Sequence, residues 1–340
     1  MILPRMLHVF IVFILICDVA ASSRHIRRRR FLDIGIEDVR NHYLAYNDQI
    51  SFLRTVQERN PDKVEILPFG HSYEMQPLYL VKITNRESKN TNKKKIWIDA
   101  GIHGREWVAS SAAIDLIYEL ANNPEVEYML NNLELLIVPN LNPDGYMYSS
   151  TGPENRMWRK TRSRQGQCFG VDGNRNYPID WARAGTSNNS CSDTFGGDKP
   201  YSEIEVYYNI QGILSEMKSL RGYVSFHAYG EQILYPYGYA FDTYPEDVED
   251  LIHVANKMST AIKNDTGVRY KVINSADMYP ASGASDDWAK SIGIKYTFTI
   301  ELSPKSDEIN FKLPTKELKL THREAYVAIR TLMEHINSEV

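Results

Sequence analysis

The sequence predicts an α/β fold: a mixed, mostly parallel central sheet with helices on both faces. Three observations lead there. Short apolar runs of strand character alternate with longer stretches of helical spacing. That alternation is the pattern of a largely parallel or mixed sheet covered on both sides. Apolar residues make up 43% of 340 positions, enough for a large core.

Three segments divide the chain. Residues 1–21 read as a secretory signal peptide. Arg5 gives a weakly positive start, Leu7 to Ile16 a short apolar run, and Val19-Ala20-Ala21 small residues for cleavage. The apolar run is shorter than the roughly 20 residues of a membrane span. A signal anchor is the rival reading, supported by the basic residues Arg24 and Arg27 to Arg30. Residues 22–30 form a short basic segment. Its four consecutive arginines serve either as a processing site or as a solvated arm. Residues 31–340 carry no repeat or low-complexity linker and read as one domain.

Within that domain the elements follow in order. Lys95 to Ala100 is a strand. Glu106 to Ala121 is a helix with Val108, Ala112, Leu116 and Leu120 on one face. Leu133 to Val138 is a strand stopped by Pro139. Ser202 to Ser219 is a helix with Ser202 as its N-cap. Gly222 to His227 is a strand and Glu246 to Asn264 a helix. Gly293 to Glu301 is a strand and Thr315 to Ile336 a closing helix.

Charge and cysteine use narrow the environment. A net charge of −4 excludes a generic polyanion binder, and no nucleic-acid partner is expected. Of three cysteines, Cys17 lies in the signal. Cys168 and Cys191 remain as an even pair, and a disulfide suits an oxidising compartment. Two buried free thiols are the alternative. The sequons at Asn188 and Asn264 suit secretion. The expectation is a secreted, extracellular monomer without stable membrane association.

Four residues stand out chemically. His103 and Glu106 follow one strand and open a helix, His227 closes a second strand, and Glu301 ends a third. Ligands of open α/β sheets bind outside the carboxyl ends of strands. Two His and one carboxylate make a catalytic zinc centre with one position left for water. Each residue also has a plain reading: Glu106 complements a helix dipole, and His227 is a structural histidine. Glu301 is harder to dismiss, because a carboxylate ending an apolar strand costs energy unless it is paired or used.

The sequence Gly101-Ile102-His103-Gly104-Arg105-Glu106-Trp107 resembles the zinc-binding signature of the digestive metallocarboxypeptidases of the A/B type, the peptidase M14 family. The similarity continues through Pro143-Asp144-Gly145-Tyr146, Met157 to Arg162, Val171 to Asn176, His227-Ala228-Tyr229, Leu234 to Gly238, Tyr279 to Gly283 and Phe298 to Leu302. It implies a carboxypeptidase-like fold, one Zn(2+) per chain, and peptide or protein C-termini as substrates.

The resemblance also implies roles. His103, Glu106 and His227 match the zinc ligands. Glu301 matches the general base, and Arg159 the arginine that stabilises the oxyanion. Asn174 and Arg175 match the grip on the substrate's terminal carboxylate. Tyr279 matches the mobile tyrosine that closes over the bound residue. Arg105 and Tyr229 match residues of the outer cleft, and Phe311 a pocket phenylalanine. Asp172 matches the acid that orients the His103 ring, and Cys168 and Cys191 the family disulfide.

Asp286, seven places after Tyr279, occupies the position that sets the pocket floor. A buried carboxylate there suits Lys or Arg side chains, with Asp287 as the competing pocket neighbour. The alternatives are the same chemistry with a neutral preference, or an inactive secreted binding homologue. Three departures accompany the match. Ser303-Pro304 replaces the usual Arg-Asp, the Glu301–Phe311 loop is one residue longer, and Ala284 stands where glycine is common. Residues 22–30 are also too short for the inhibitory pro-domain usual in secreted relatives.

Overall fold

The structure is a computed structural model and describes residues 34–339. The expected signal, the arginine run and Cys17 lie outside the described residues. Eight strands form one sheet: β1 (Val64–His71), β2 (Pro77–Ile83), β3 (Lys94–Ala100), β4 (Leu133–Val138), then, after a two-stranded ribbon of β5 (Arg164–Gln165) and β6 (Cys168–Phe169), β7 (Leu220–Ala228), β8 (Gln232–Tyr235), β9 (Lys271–Asn274) and β10 (Tyr296–Leu302). The order is β1-β2-β4-β3-β7-β10-β8-β9. The central four, β4-β3-β7-β10, are parallel throughout. The β1–β2, β2–β4 and β10–β8 pairings are antiparallel.

The central strands are apolar on both faces because both are covered. In β3, Ile96, Ile98 and Ala100 point into one core layer. There they meet the helices Trp107–Asn122, Val248–Thr266 and Leu318–Asn337. Trp97 faces the opposite layer and packs with Val206, Ile210 and Ile213 of the helix Ile204–Glu216. That helix comes so close that a Cβ on Gly212 would lie 2.6 Å from the Trp97 ring. Burying each such side chain fully contributes about 1.5–3 kcal/mol.

Every predicted helix and strand is present; the strand Leu133–Val138 has the expected ends and the others have shifted ones. The helix expected from Glu106 runs Trp107–Asn122 with Glu106 as its N-cap. The expected cap at Ser202 is a correction. Glu203 occupies the N-cap, and the Ser202 hydroxyl instead donates to Glu203 and accepts from Asn176 Nδ2 at 3.0 Å. Strand β10 begins at Tyr296 rather than Gly293, because Gly293 has φ +101° and belongs to the preceding turn. The closing helix starts at Leu318 after a 3₁₀ turn, Thr315–Glu317. No helix among the described residues is long and apolar enough to cross a membrane.

Candidate metal centre and substrate cleft

The carboxyl ends of β3, β7 and β10 lie side by side, and the site is built there. After β3 the chain turns at Gly101, whose φ is +69° and whose Cβ would lie 2.2 Å from Ser110 Oγ. Glycine is required on both counts. The turn delivers His103 and then Glu106. The Glu106 carboxylate makes no cap bond to its own helix. It is turned to the two histidines instead, so the dipole reading alone does not account for it.

The three side chains converge. His103 Nδ1 lies 2.7 Å from Glu106 Oε1, and His227 Nδ1 lies 3.1 Å from Glu106 Oε2. One nitrogen from each ring and a carboxylate oxygen all fall within 4.8 Å of one another. His103 Nε2 faces Asp172 Oδ1 at 3.0 Å. With its Nε2–H donated to that carboxylate, the His103 ring carries a free lone pair on Nδ1, toward the shared centre. His227 Nε2 is buried without a partner. Two imidazoles and one carboxylate, in a closed, oriented cluster with a side open to a cleft, fit a catalytic zinc ion.

Electrostatics agree with a cation site. Burial opposes ionisation of Glu106, but His103 and His227 outweigh it and hold the carboxyl far below its ordinary range. Burial likewise opposes charge on Asp172, yet Arg159, Arg175 and His103 keep it well below its usual value. Burial, with Arg159 adding to it, lowers His103. For His227 burial is overcome by Glu106, and the ring is raised to about 9. That cluster holds a proton where a divalent cation would displace it. Replacing Asp172 with Asn should weaken zinc affinity about 10- to 100-fold in a chelator competition, since the carboxylate that fixes the His103 tautomer is lost.

Glu301 sits beside these ligands. It pairs in register with His227 across β10 and β7. Burial pushes its carboxyl up to about 7. Arg159 is buried, with Nε 2.9 Å and Nη2 2.8 Å from Asp172 Oδ2. Its Nη1 lies 3.9 Å from Glu106 Oε1.

A cleft of about 550 Å³ joins Glu301, Arg159 and the three ligands to Asn174, Tyr229 and Tyr279. On its outer side the Arg105 guanidinium lies 4.2 Å from the Phe311 ring centroid and donates to Asp193. Tyr229 packs edge-on against Phe311 and donates to Asp307 at 3.0 Å. The loop after Glu301 brings Phe311 to the cleft. The disulfide Cys168–Cys191 forms, tying β6 to the loop that carries Asp193.

A smaller cavity opens from the cleft behind Asn174 and Arg175. Asn174 Oδ1 is fixed by the Ser285 amide. Arg175 Nη2 lies 3.3 Å from the hydroxyl of Tyr279, which is half-exposed at the mouth. Asp286 lines the cavity and accepts from Ser275 Oγ at 3.1 Å. Both oxygens of Asp287 are occupied by the Gly238 amide at 2.8 Å, and Asp287 is not among the lining residues. Burial raises both carboxyls.

The sequence reading missed Ser275 and Thr299 in this cavity and Lys305, Ser306 and Asp307 along the cleft. Thr299 was legible: it lies two residues before Glu301, on the same strand face. The others sit on loops and short turns, where no periodicity reports side-chain direction.

Fold and site together define an α/β protein with two histidines and a carboxylate that could hold a metal ion at its strand ends, and a further carboxylate beside them. The sequence of residues 49–328 matches the family described as zinc carboxypeptidase, and the chain belongs to that family. It is 39% identical to carboxypeptidase A2 of Rattus norvegicus over 284 residues, covering 82% of this chain and 66% of that protein. Carboxypeptidase B2 of Bos taurus is 35% identical over 307 residues, covering 88% and 71%. The structure of bovine thrombin-activatable fibrinolysis inhibitor in complex with tick carboxypeptidase inhibitor superposes with a TM-score of 0.81 at 34% identity, covering 88% of this chain and 99% of that one. The chain thus spans just under two thirds of the rat relative's length.

Proposed function

We propose that this chain is a secreted zinc-dependent exopeptidase that hydrolyses the C-terminal peptide bond of peptides and proteins, releasing C-terminal Lys or Arg. The observation that carries the basic preference is Asp286. It is a buried carboxylate lining the cavity behind the terminal-carboxylate grip, it accepts from the Ser275 hydroxyl, and no Lys or Arg among the described residues forms an ion pair with it. A Lys or Arg side chain entering the cavity would supply a cation.

The residues divide the work. Asn174 and Arg175 take the substrate's terminal carboxylate, the guanidinium as a two-pronged donor. Tyr279 covers the bound residue from the mouth. Glu301 accepts a proton as a water oxygen attacks the scissile carbonyl carbon, and returns it to the amine nitrogen as the C–N bond breaks. Arg159, clamped by Asp172, presents a fixed cation to the developing oxyanion. His103, Glu106 and His227 would hold a zinc ion, which would supply Lewis acidity to the scissile carbonyl and the attacking water. Arg105, Tyr229 and Phe311 bind residues upstream of the cleaved bond.

The test is an assay of the purified chain on paired peptides differing only in a terminal Arg or Phe, with and without a chelator. Release of Arg well ahead of Phe, abolished by chelation and restored by zinc, is the expected result. Equal or faster release of Phe would overturn the basic preference in favour of a neutral one.

A further inference from the structure

Where β10 ends lies a buried carboxylate that the mechanism does not use. Glu324, on the helix Leu318–Asn337, has no exposed surface. Its Oε2 accepts from Tyr270 OH and from Ser303 Oγ, each at 2.8 Å. Its Oε1 is buried without a partner. Ser303 directly follows β10, and its amide donates to Tyr270 OH at 3.2 Å. The same Ser303 hydroxyl lies 3.3 Å from Glu231 Oε1.

One hydroxyl carries one proton and cannot donate to two carboxylates at once. If Glu324 is ionised, the Ser303 proton turns to it and Glu231 loses its donor. If Glu324 is neutral, its own proton can go to Ser303 Oγ, freeing the Ser303 proton for Glu231. Glu231 belongs to the turn between β7 and β8, which carries Tyr229 into the cleft. That turn is otherwise tied to the strand end by the Gly230 amide on the Leu302 carbonyl at 3.0 Å, and Glu231 O accepts from the Lys271 amide.

We propose that Glu324 is a positioning residue for the cleft: through Ser303 it clips the Tyr229 turn to the end of β10, and the clip is released when Glu324 loses its proton. This rests on the proposed function in giving Tyr229 a place in substrate binding. Burial raises the Glu324 carboxyl to about 7, against the bonds from Tyr270 and Ser303. The titratable groups facing it are Tyr270, ahead of β9, and Glu231. No Lys, Arg or His pairs with it among the described residues. On its own helix, Arg323 turns to Asp265 and His322 to Ser111.

The sign follows from linkage. The folded-state carboxyl is raised above its unfolded value of 4.5, so its contribution is fully present below that value and lost as pH rises through about 7. The experiment compares wild type, Glu324→Gln and Ser303→Ala between about pH 5 and about pH 8.5. It records Tm without substrate, and KM and kcat on an Arg-ended peptide. Relative to Glu324→Gln, wild-type Tm should fall across this pH interval, the fall lying between the unfolded value of 4.5 and about 7 and levelling off above. Relative to Glu324→Gln at each pH, wild-type KM should rise about threefold over the same interval while the ratio of the two kcat values stays flat, since the Glu301 titration is common to both. In Glu324→Gln, whose amide donates permanently, KM should show no such rise. In Ser303→Ala the Tm trend should persist while KM no longer follows it, because the link to the turn is cut. A wild-type-to-Gln Tm difference independent of pH, or KM rising in parallel in all three proteins, overturns the proposal. The Tm comparison needs no activity, so an inactive chain would defeat the proposed function without deciding this titration.

Discussion

Glu301→Gln should lower kcat by about 10²- to 10⁴-fold while leaving the fold intact. Gln matches Glu in volume and keeps the strand pairing, but it cannot take a proton. The site offers no ready substitute. Asp172 is committed to His103 and Arg159, and Glu106 faces the two histidines. Thermal stability should hold or rise slightly, because the native carboxylate is buried and its ionisation is opposed. The pH profile provides a second check. The base must be ionised, so activity is lost as pH falls through its pKa. That value is about 7 in the metal-free protein, and a cation at the neighbouring ligands lowers it. The acid limb of wild-type kcat/KM therefore belongs below about 7 and should vanish from the residual activity of the variant. Near wild-type turnover in Glu301→Gln would remove Glu301 as the base.

Asp286→Leu should cut kcat/KM for Arg-ended peptides by about two orders of magnitude and raise it for Phe-ended ones. Removing one partner of a buried, hydrogen-bonded charge pair costs about 2–5 kcal/mol, and each 1.4 kcal/mol is a factor of ten. Much of that loss comes from leaving the substrate cation unpaired in a closed cavity. An apolar floor also ends the desolvation of an empty carboxylate, so the variant should be no less stable than wild type. Asp287→Asn offers the contrast. Its carboxylate is held by the Gly238 amide, so the change should affect packing more than the Arg-to-Phe ratio. A larger ratio change from Asp287 than from Asp286 would reverse their assignments.

Much of this architecture could be read from the sequence, for identifiable reasons. The central strands are apolar on both faces and end at a glycine, a proline or a histidine, so β3, β4 and β7 stood out, and the long helices announced themselves by period. The edge of the sheet did not. Strands β1 and β2 are half-buried and carry polar residues on one side. Strands β8 and β9 are four residues each, too short for a periodic signal. Placement at strand ends suggested that His103, Glu106, His227 and Glu301 share a site, but it could not orient a ring. The tautomer at His103 depends on Asp172, which is remote in sequence and lies on a turn. The cap at Ser202 failed because Asn176 claims the hydroxyl, a partner that local spacing cannot report.

The lateral pairing of His227 with Glu301 has a consequence for assembly. A slip of one residue between β10 and β7 would turn the carboxylate to the opposite face of the sheet. The ligands come from segments far apart in the chain, so the ion's cage exists only once these strands have docked in the correct frame. Metal at a hundredfold excess over its dissociation constant adds about 2.7 kcal/mol to the folded state alone. Occupancy of the centre thus acts as a proofreading reward for correct strand assembly, withheld from any misthreaded form.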